Sequence, residues 1–151
     1  MGDAFLNIRL QSMFWVTAQF VLVAFMVFCS IPWTLTWAPV TLGGLALALA
    51  LWVFVHNPPG NFNIRPEPKS GARLVTRGPY RWVRHPMYVA LLLAMAGIAA
   101  EAPTGLLLGM WVVLVMVLNF KAALEERLLQ ARWPEYADYR AGTSRFIPWI
   151  W

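Results

Sequence analysis

Long apolar runs separated by short polar segments divide this chain. No Asp, Glu, Lys or Arg occurs from residue 10 to residue 64, and two further uncharged stretches cover 85–100 and 102–120. An α-helix rises about 1.5 Å per residue, so about 20 apolar residues cross the ~30 Å of hydrocarbon in a bilayer. The pattern therefore predicts an all-α integral membrane protein.

Breaks in the apolar pattern predict four membrane spans, which we place at 13–31, 40–56, 86–100 and 104–120. A loop over 32–39 and a turn at 101–103 are the short connections, and a Pro-rich basic connector covers 57–84. The helix of the fourth span meets no breaker before Pro134, so we expect it to continue beyond the membrane. We interpret the whole chain, 1–151, as a single domain.

Charge is sparse and unevenly placed. The chain has 12 Lys and Arg against 7 Asp and Glu, a net charge of +5. All 12 basic residues lie in the N-terminal tail, in the connector and from Lys121 onward. The positive-inside rule then places these regions and both termini in the cytoplasm. The net charge is a topology signal with affinity for anionic lipids, and it does not indicate nucleic-acid binding.

The sequence lacks the signals of several kinds of functional site. Cys29 is the only cysteine, so no disulfide can form within the chain. No Cys/His set has the spacing of metal ligands, and we expect no metal site. The remaining candidate chemistry is in two polar clusters, at 73–88 and 119–148.

The first cluster contains "RGPYRWVRHPMY", residues 77–88. Proline suits the first position of a helix, so we expect a helix to begin at Pro86, with His85 just before it and Tyr88 in its first turn. A helix start presents unpaired N–H groups and a partial positive charge, which suit an anion. The alternative is an ordinary belt of interfacial residues, in which the arginines, Arg84 among them, are lipid anchors.

The second cluster continues the fourth helix. Glu125 lies four residues after Lys121, which predicts an ion pair along the helix. Glu126 has no charged neighbour at such positions, and Asn119 lies seven residues earlier on the same face with small alanines between. This stripe predicts a groove for a ligand, and the alternative is a solvated helix face.

The C-terminal segment follows Pro134. Tyr136, Tyr139 and Arg140 have the spacing to share one face of a short helix. Arg145 precedes a Phe-x-Pro sequence, and its guanidinium suits either a lipid phosphate or a substrate carboxylate.

Together, the two clusters resemble the isoprenylcysteine carboxyl methyltransferase and phospholipid methyltransferase superfamily of integral membrane enzymes. The resemblance rests on "RGPYRWVRHPMY", a helical hairpin, then "EERLLQARWPEYADYR" and "RFIP", and it covers about 74–148. It implies S-adenosylmethionine as cofactor, bound between the cytoplasmic ends of the last spans and the C-terminal segment. One departure is Ala90, where many members have Gly.

Resemblance and residue chemistry together predict roles for individual side chains. We expect Glu126 to accept hydrogen bonds from the cofactor's ribose or amino group, and Arg145 to orient an anionic acceptor; both are the predicted catalytic residues. The predicted cofactor-binding residues are His85, Pro86, Tyr88, Tyr80, Glu125, Glu126 and Asn119. The predicted substrate-binding residues are Tyr139, Arg140 and Arg145.

The expected function is methyl transfer from S-adenosylmethionine to a lipophilic acceptor. A sulfonium methyl group is already activated, so the protein must chiefly position the reactants and exclude water. A prenylcysteine-like carboxylate, a phospholipid amine and a hydrophobic thiol are all open as acceptors. The rival is a non-catalytic membrane module of the same fold that binds a lipid or a partner protein. We expect location in a bacterial inner membrane, where a second protomer is one way to complete a lipid tunnel.

Overall fold

Over the residues that the structure describes, the fold consists of five α-helices joined by irregular segments. The computed structural model describes residues 2–31, 36–61, 65–66, 71–101 and 104–150. The helices in these ranges are α1 Gly2–Cys29, α2 Trp37–His56, α3 Pro86–Glu101, α4 Gly105–Arg132 and α5 Tyr136–Ala141. Two single 3-10 turns, Pro59–Asn61 and Gly78–Arg81, lie between α2 and α3. Within the described ranges there is no β-strand, and the all-α prediction is confirmed there.

The predicted helix ends are largely confirmed. α3 begins at Pro86, and α4 continues to Arg132, as the absence of a breaker predicted. α1 ends at Cys29, two residues earlier than predicted, because Ile31 precedes a proline and is thereby disfavoured in helical conformation. α2 begins at Trp37 rather than at residue 40, since a proline is tolerated in the first turn of a helix. The predicted loop at 32–35 and turn at 102–103 lie outside the described residues.

Three helical segments are long and apolar enough to cross a membrane: Leu6–Cys29, Trp37–His56 and Gly105–Arg132. Many of their outward side chains are large and apolar; Phe28 is 70% exposed and Val55 is 80% exposed, which fits a lipid environment better than water. α3 has 16 residues and is shorter than these segments. A fourth crossing therefore stays a prediction.

The helices pack in two pairs, with α2 along α3 and α1 along α4. Gly97 permits the first pairing, because a Cβ at this position would lie 3.1 Å from the Cα of Pro39. The hydroxyl of Thr36 also donates a hydrogen bond to the carboxylate of Glu101. The core between the pairs is formed by Met26, Met95, Ala99, Leu107, Met110, Leu114, Leu118, Ala122 and Phe146.

The C-terminal segment folds back onto the start of α3. A parallel bridge joins Val83 to Ser144, with the Arg84 N–H donating to the Ser144 carbonyl at 2.8 Å. The His85 N–H donates to the Arg145 carbonyl at 3.3 Å. This pairing brings residues some 60 positions apart to the same end of α4.

A glycine turn places the connector against the end of α2. Gly78 has a φ of +60°, and a Cβ there would lie 2.4 Å from the Cγ of His56. The His56 ring is held by a hydrogen bond of 3.0 Å between its Nδ1 and the Trp52 carbonyl. The close approach therefore requires glycine, and it directs Tyr80, two residues later, toward the ends of the other helices.

Candidate functional site

A cavity lies where the end of α2, the connector, the start of α3, the end of α4 and α5 meet. It has two adjoining lobes with empty spaces of about 660 and 440 Å³, including their open mouths. Both lobes are lined by Asn57, Asn61, Tyr80, Arg84, His85 and Glu125.

The smaller lobe, which we call the α3 lobe, adds the first turn of α3 to this shared wall. Its further lining residues are Pro86, Met87 and Tyr88. The larger one, the α5 lobe, is bounded by the end of α4 and by α5. Its further lining residues are Arg65, Pro66, Ala72, Arg73, Leu74, Val75, Leu129, Trp133, Tyr136 and Tyr139. All four tyrosines of the chain thus line the cavity.

The α3 lobe brings together several predicted cofactor-binding residues. The Tyr88 hydroxyl donates to Oε2 of Glu125 at 2.8 Å, and Nδ1 of His85 lies 3.6 Å from the same oxygen. The rings of His85 and Tyr88 stack with centroids 5.1 Å apart. The Glu125 side chain is 29% exposed, so it remains accessible to a molecule in the cavity.

The predicted ion pair between Lys121 and Glu125 is wrong. The Lys121 ammonium donates to the side-chain oxygen of Gln19 on α1 at 2.7 Å and lies 5.1 Å from the centre of the Tyr88 ring. α1 packs against this face of α4, so the amide replaces the carboxylate as the partner of Lys121. Glu125 is turned toward the cavity instead.

Two asparagines in the shared wall were not predicted. The Asn57 amide donates to the Tyr80 hydroxyl at 2.9 Å, and the Asn61 amide donates to Oδ1 of Asn57 at 2.7 Å. Asn61 also bonds both the N–H and the carbonyl of Arg73, which ties the connector to the end of α2. The sequence signal was "HNPPGN", where amides flank a helix-breaking run, and we interpreted it only as the end of a span.

The tyrosines of the α5 lobe are neutral hydrogen-bonding groups. The Tyr139 hydroxyl donates to the Tyr80 carbonyl at 2.7 Å. Burial raises the pKa of Tyr80 to about 12, and burial also raises the pKa of Tyr139 well above its ordinary value. Tyr136 differs from them: its side chain is 1% exposed, and its hydroxyl has no hydrogen-bond partner among the described residues.

Next to the cavity, Glu126 is the centre of a buried group of charges. We call Glu126, Arg84, His85, Asn119 and Arg145 the Glu126 cluster. Oε1 of Glu126 accepts from Arg84 Nε at 3.0 Å, from Arg145 Nε at 3.1 Å and lies 3.2 Å from His85 Nε2. Oε2 accepts from Arg145 Nη2 at 2.8 Å, and the side chain is only 2% exposed.

This cluster corrects the prediction that Glu126 is unpaired. Neighbouring positions on the same helix offer no charged partner for Glu126. Its two arginine partners come instead from the connector and from the C-terminal segment. A carboxylate buried to this degree requires such partners. Glu126 and Asn119 do not line the cavity.

The predicted groove beside Asn119 is filled by Arg145. The Arg145 guanidinium donates to Oδ1 of Asn119 as well as to Glu126, so it lies along the stripe of small residues. Ala122 within this stripe is fully buried. The groove therefore holds a side chain of the protein itself.

The interpretation of Arg84 as a lipid anchor is also wrong. Its side chain is 9% exposed, and it donates to Glu126 and to the carbonyls of Arg140 and Thr143. The Arg140 side chain differs, since it is 54% exposed and only its Nε approaches Glu126, at 3.9 Å. Arg140 and Arg145 line a shallow depression with the exposed Trp149 and Ile150, apart from the cavity that Tyr139 lines.

No metal-binding geometry is found in the part of the chain that the structure describes. No group of three or more His, Cys, Asp or Glu side chains there is placed to hold a metal ion.

Comparison with known proteins supplies the family. Residues 41–135 match phospholipid methyltransferase, a region that includes the cavity-lining ends of α2, α3 and α4. The chain belongs to the phospholipid methyltransferase family. The resemblance predicted from "RGPYRWVRHPMY" and the Glu-Glu pair is thereby confirmed.

Two relatives of this family member are similar along nearly its whole length. The cobalt-zinc-cadmium resistance protein CzcN of Cupriavidus metallidurans is 32% identical, over 97% of this chain and 67% of its own. The nickel-cobalt-cadmium resistance protein NccN of Alcaligenes xylosoxydans xylosoxydans is 29% identical, over 97% of this chain and 68% of its own.

Proposed function

We propose that this protein is an S-adenosylmethionine-dependent methyltransferase that modifies a lipophilic acceptor at a membrane surface. The observation that carries the proposal is the cavity in which His85, Tyr88 and the accessible Glu125 meet, within a member of the phospholipid methyltransferase family. Membership supports methyl transfer in general, and the cavity supports a specific place for the cofactor.

The residues of the cavity fit the chemical groups of S-adenosylmethionine. Glu125 offers a partly exposed negative charge to a sulfonium or ammonium group. The aromatic side chains of the α5 lobe suit a planar base. We assign cofactor binding to Glu125, His85 and Tyr88, together with Pro86, Tyr80, Asn57 and Asn61.

The protein's own contribution to the reaction is mainly electrostatic and positional. When bound, S-adenosylmethionine supplies a methyl group on a positively charged sulfur. The Tyr88 hydroxyl fixes the Glu125 carboxylate, so that its charge is directed at one part of the cavity. Such preorganised charge acts more strongly where protein walls exclude water. A carboxylate or thiolate acceptor needs no general base, and an amine must only be neutral.

Glu126 has a positioning role in this proposal. It holds Arg84 and Arg145, and through them it fixes the C-terminal segment against the start of α3. Arg145 was predicted to orient the acceptor, but its guanidinium is engaged by Glu126 and Asn119. The exposed Arg140 is better placed to meet an anionic acceptor headgroup.

The membrane arrangement follows the charge pattern. We propose that α3 adds a fourth crossing and that the cavity opens on the cytoplasmic side of a bacterial inner membrane, where positively charged segments reside. The water-soluble cofactor then arrives from the cytoplasm and the acceptor from the bilayer. A prenylcysteine-like carboxylate, a phospholipid amine and a hydrophobic thiol remain the candidate acceptors.

A second candidate function is a non-catalytic membrane module that binds a lipid or a partner protein. The names of the two relatives favour it, because they describe metal resistance and not an enzyme. The candidates differ in one respect that can be measured, since only the methyltransferase requires the cofactor.

Calorimetric titration of the detergent-purified protein with S-adenosylmethionine and S-adenosylhomocysteine separates these candidates. We expect both compounds to bind with micromolar affinity. In a separate assay, we expect a labelled methyl group to be transferred from S-adenosylmethionine to a component of a membrane lipid extract. The Glu125→Gln variant should bind S-adenosylmethionine about tenfold more weakly. Glu135→Gln, a change of an exposed carboxylate outside the cavity, should retain wild-type affinity. Absence of binding to folded protein, repeated in lipid nanodiscs, would overturn the proposal in favour of the module.

A further inference from the structure

Tyr136 is a buried polar group that the predicted site leaves unexplained. Its hydroxyl is the buried side-chain oxygen or nitrogen that lacks a hydrogen-bond partner among the described residues. Buried polar groups are normally hydrogen-bonded, and each exception calls for an explanation. The remaining three tyrosine hydroxyls, of Tyr80, Tyr88 and Tyr139, all have protein partners.

The position of Tyr136 indicates where its missing partner belongs. The residue lies on the wall of the α5 lobe, next to Trp133 and Tyr139. Its ring meets that of Tyr139 edge-on, with centroids 5.7 Å apart, and its N–H donates to the Trp133 carbonyl at 3.0 Å. Because backbone and ring are both held, the hydroxyl cannot easily turn to another protein group. The α5 lobe that Tyr136 lines is the place where a ligand group would supply this partner.

The surroundings of Tyr136 select the kind of ligand group. Leu129, Trp133 and Tyr139 form an apolar and aromatic wall around it, while Glu125 belongs to the wall shared with the α3 lobe. A planar, uncharged, hydrogen-bonding ring suits the aromatic side, and a cationic group suits the carboxylate. Burial raises the pKa of Tyr136 well above its ordinary value, so the hydroxyl stays protonated and can donate.

We propose that the Tyr136 hydroxyl hydrogen-bonds the nucleoside part of the ligand in the α5 lobe, while Glu125 faces its cationic part. This inference rests on the proposed function, because it takes the ligand to be S-adenosylmethionine or its product. It adds a specificity-determining residue that was not among the predicted site residues. It also assigns the two lobes to the two ends of one ligand.

The test compares wild type with Tyr136→Phe, which removes only the hydroxyl. The probes for calorimetric titration are S-adenosylhomocysteine and 5′-methylthioadenosine, which has the nucleoside but lacks the amino-acid end. We expect Tyr136→Phe to weaken both by a similar factor of roughly five, the effect of one neutral hydrogen bond. A loss confined to S-adenosylhomocysteine would place the contact at the amino-acid end and overturn the assignment.

Stability of the ligand-free protein gives a second, independent readout. Removing an unpaired buried hydroxyl should leave the Tm of Tyr136→Phe unchanged or higher, whereas Tyr139→Phe, which loses a hydrogen bond to the Tyr80 carbonyl, should lower it. A clear decrease in Tm for Tyr136→Phe would reveal a protein partner and overturn the inference. If Tyr136→Phe binds both probes with wild-type affinity, this inference is overturned and the proposed function is not. If the wild-type protein binds neither probe, the proposed function is overturned as well.

Discussion

Glu125 and Glu126 are adjacent in the chain and have opposite surroundings. The Glu125 side chain is 29% exposed, accepts one tyrosine hydroxyl and faces a cavity. The Glu126 side chain is 2% exposed and is surrounded by two arginines and a histidine. Adjacent helix positions point about 100° apart, so one carboxylate can face a ligand while the other holds the protein together. A paired acidic motif therefore need not mean two ligand-binding acids.

The structural role of Glu126 should be clearest in the Glu126→Gln variant, for which we expect the largest loss of stability. Neutralising this carboxylate leaves Arg84 and Arg145 buried without their counter-charge, a kind of change that costs about 3–5 kcal/mol. Thermal or chemical unfolding in detergent should show the loss. Glu135→Gln, at an exposed carboxylate without a capping bond, is the matched control and should change stability little. Wild-type stability of Glu126→Gln would contradict the structural role of the cluster.

The Glu125→Gln variant should instead affect binding. Its partner Tyr88 can still donate to the amide oxygen, so we expect little change in Tm. Loss of the negative charge should weaken the binding of S-adenosylmethionine, whose sulfur is positively charged, by about tenfold. The binding of S-adenosylhomocysteine, whose sulfur is neutral, should be weakened clearly less. Calorimetric titration of both ligands measures the ratio. Equal losses for the two would show that Glu125 does not face the sulfonium.

The free energy of unfolding should also depend on pH through Tyr80 in the cavity wall. The pKa of Tyr80 is raised to about 12, against about 10 in an unfolded chain. Between these values the unfolded state binds fewer protons, so the free energy of unfolding falls as pH rises, by roughly 1 kcal/mol from pH 9 to 11. Unfolding of wild type and Tyr80→Phe across this interval checks it. The variant should show the shallower decline, and identical slopes would contradict the burial of this hydroxyl.

The smallest expected effect is that of Tyr88→Phe. This change removes the hydroxyl that orients Glu125 and keeps the ring that stacks on His85. We expect cofactor affinity to fall about threefold, because a positioning bond and not a ligand contact is lost. Combining it with Glu125→Gln in a double-mutant cycle is the check: the two losses should not add. Full additivity would mean that Tyr88 contacts the ligand independently.

Local sequence logic predicted one of these regions better than the other. The start of α3 at Pro86 follows from a helix signal, and the meeting of His85 and Tyr88 with Glu125 is what the family resemblance implied. Arg84 and Arg145, in contrast, are 42 and 19 positions from Glu126 in the chain. Their meeting depends on the C-terminal bridge, which no periodicity reveals. Tyr136 lies within the quoted C-terminal motif but was not predicted as a site residue, because its significance is a missing partner in three dimensions.

The most direct test of the division between the two acids is an experimental structure with S-adenosylhomocysteine bound in a lipid environment. The account predicts the ligand in the cavity, with its sulfur end beside Glu125 and its nucleoside beside Tyr136, and with Glu126 still bonded to Arg84 and Arg145. A ligand bonded to Glu126 with Arg145 displaced, or bound at the depression beside Arg140 and Trp149, would contradict it.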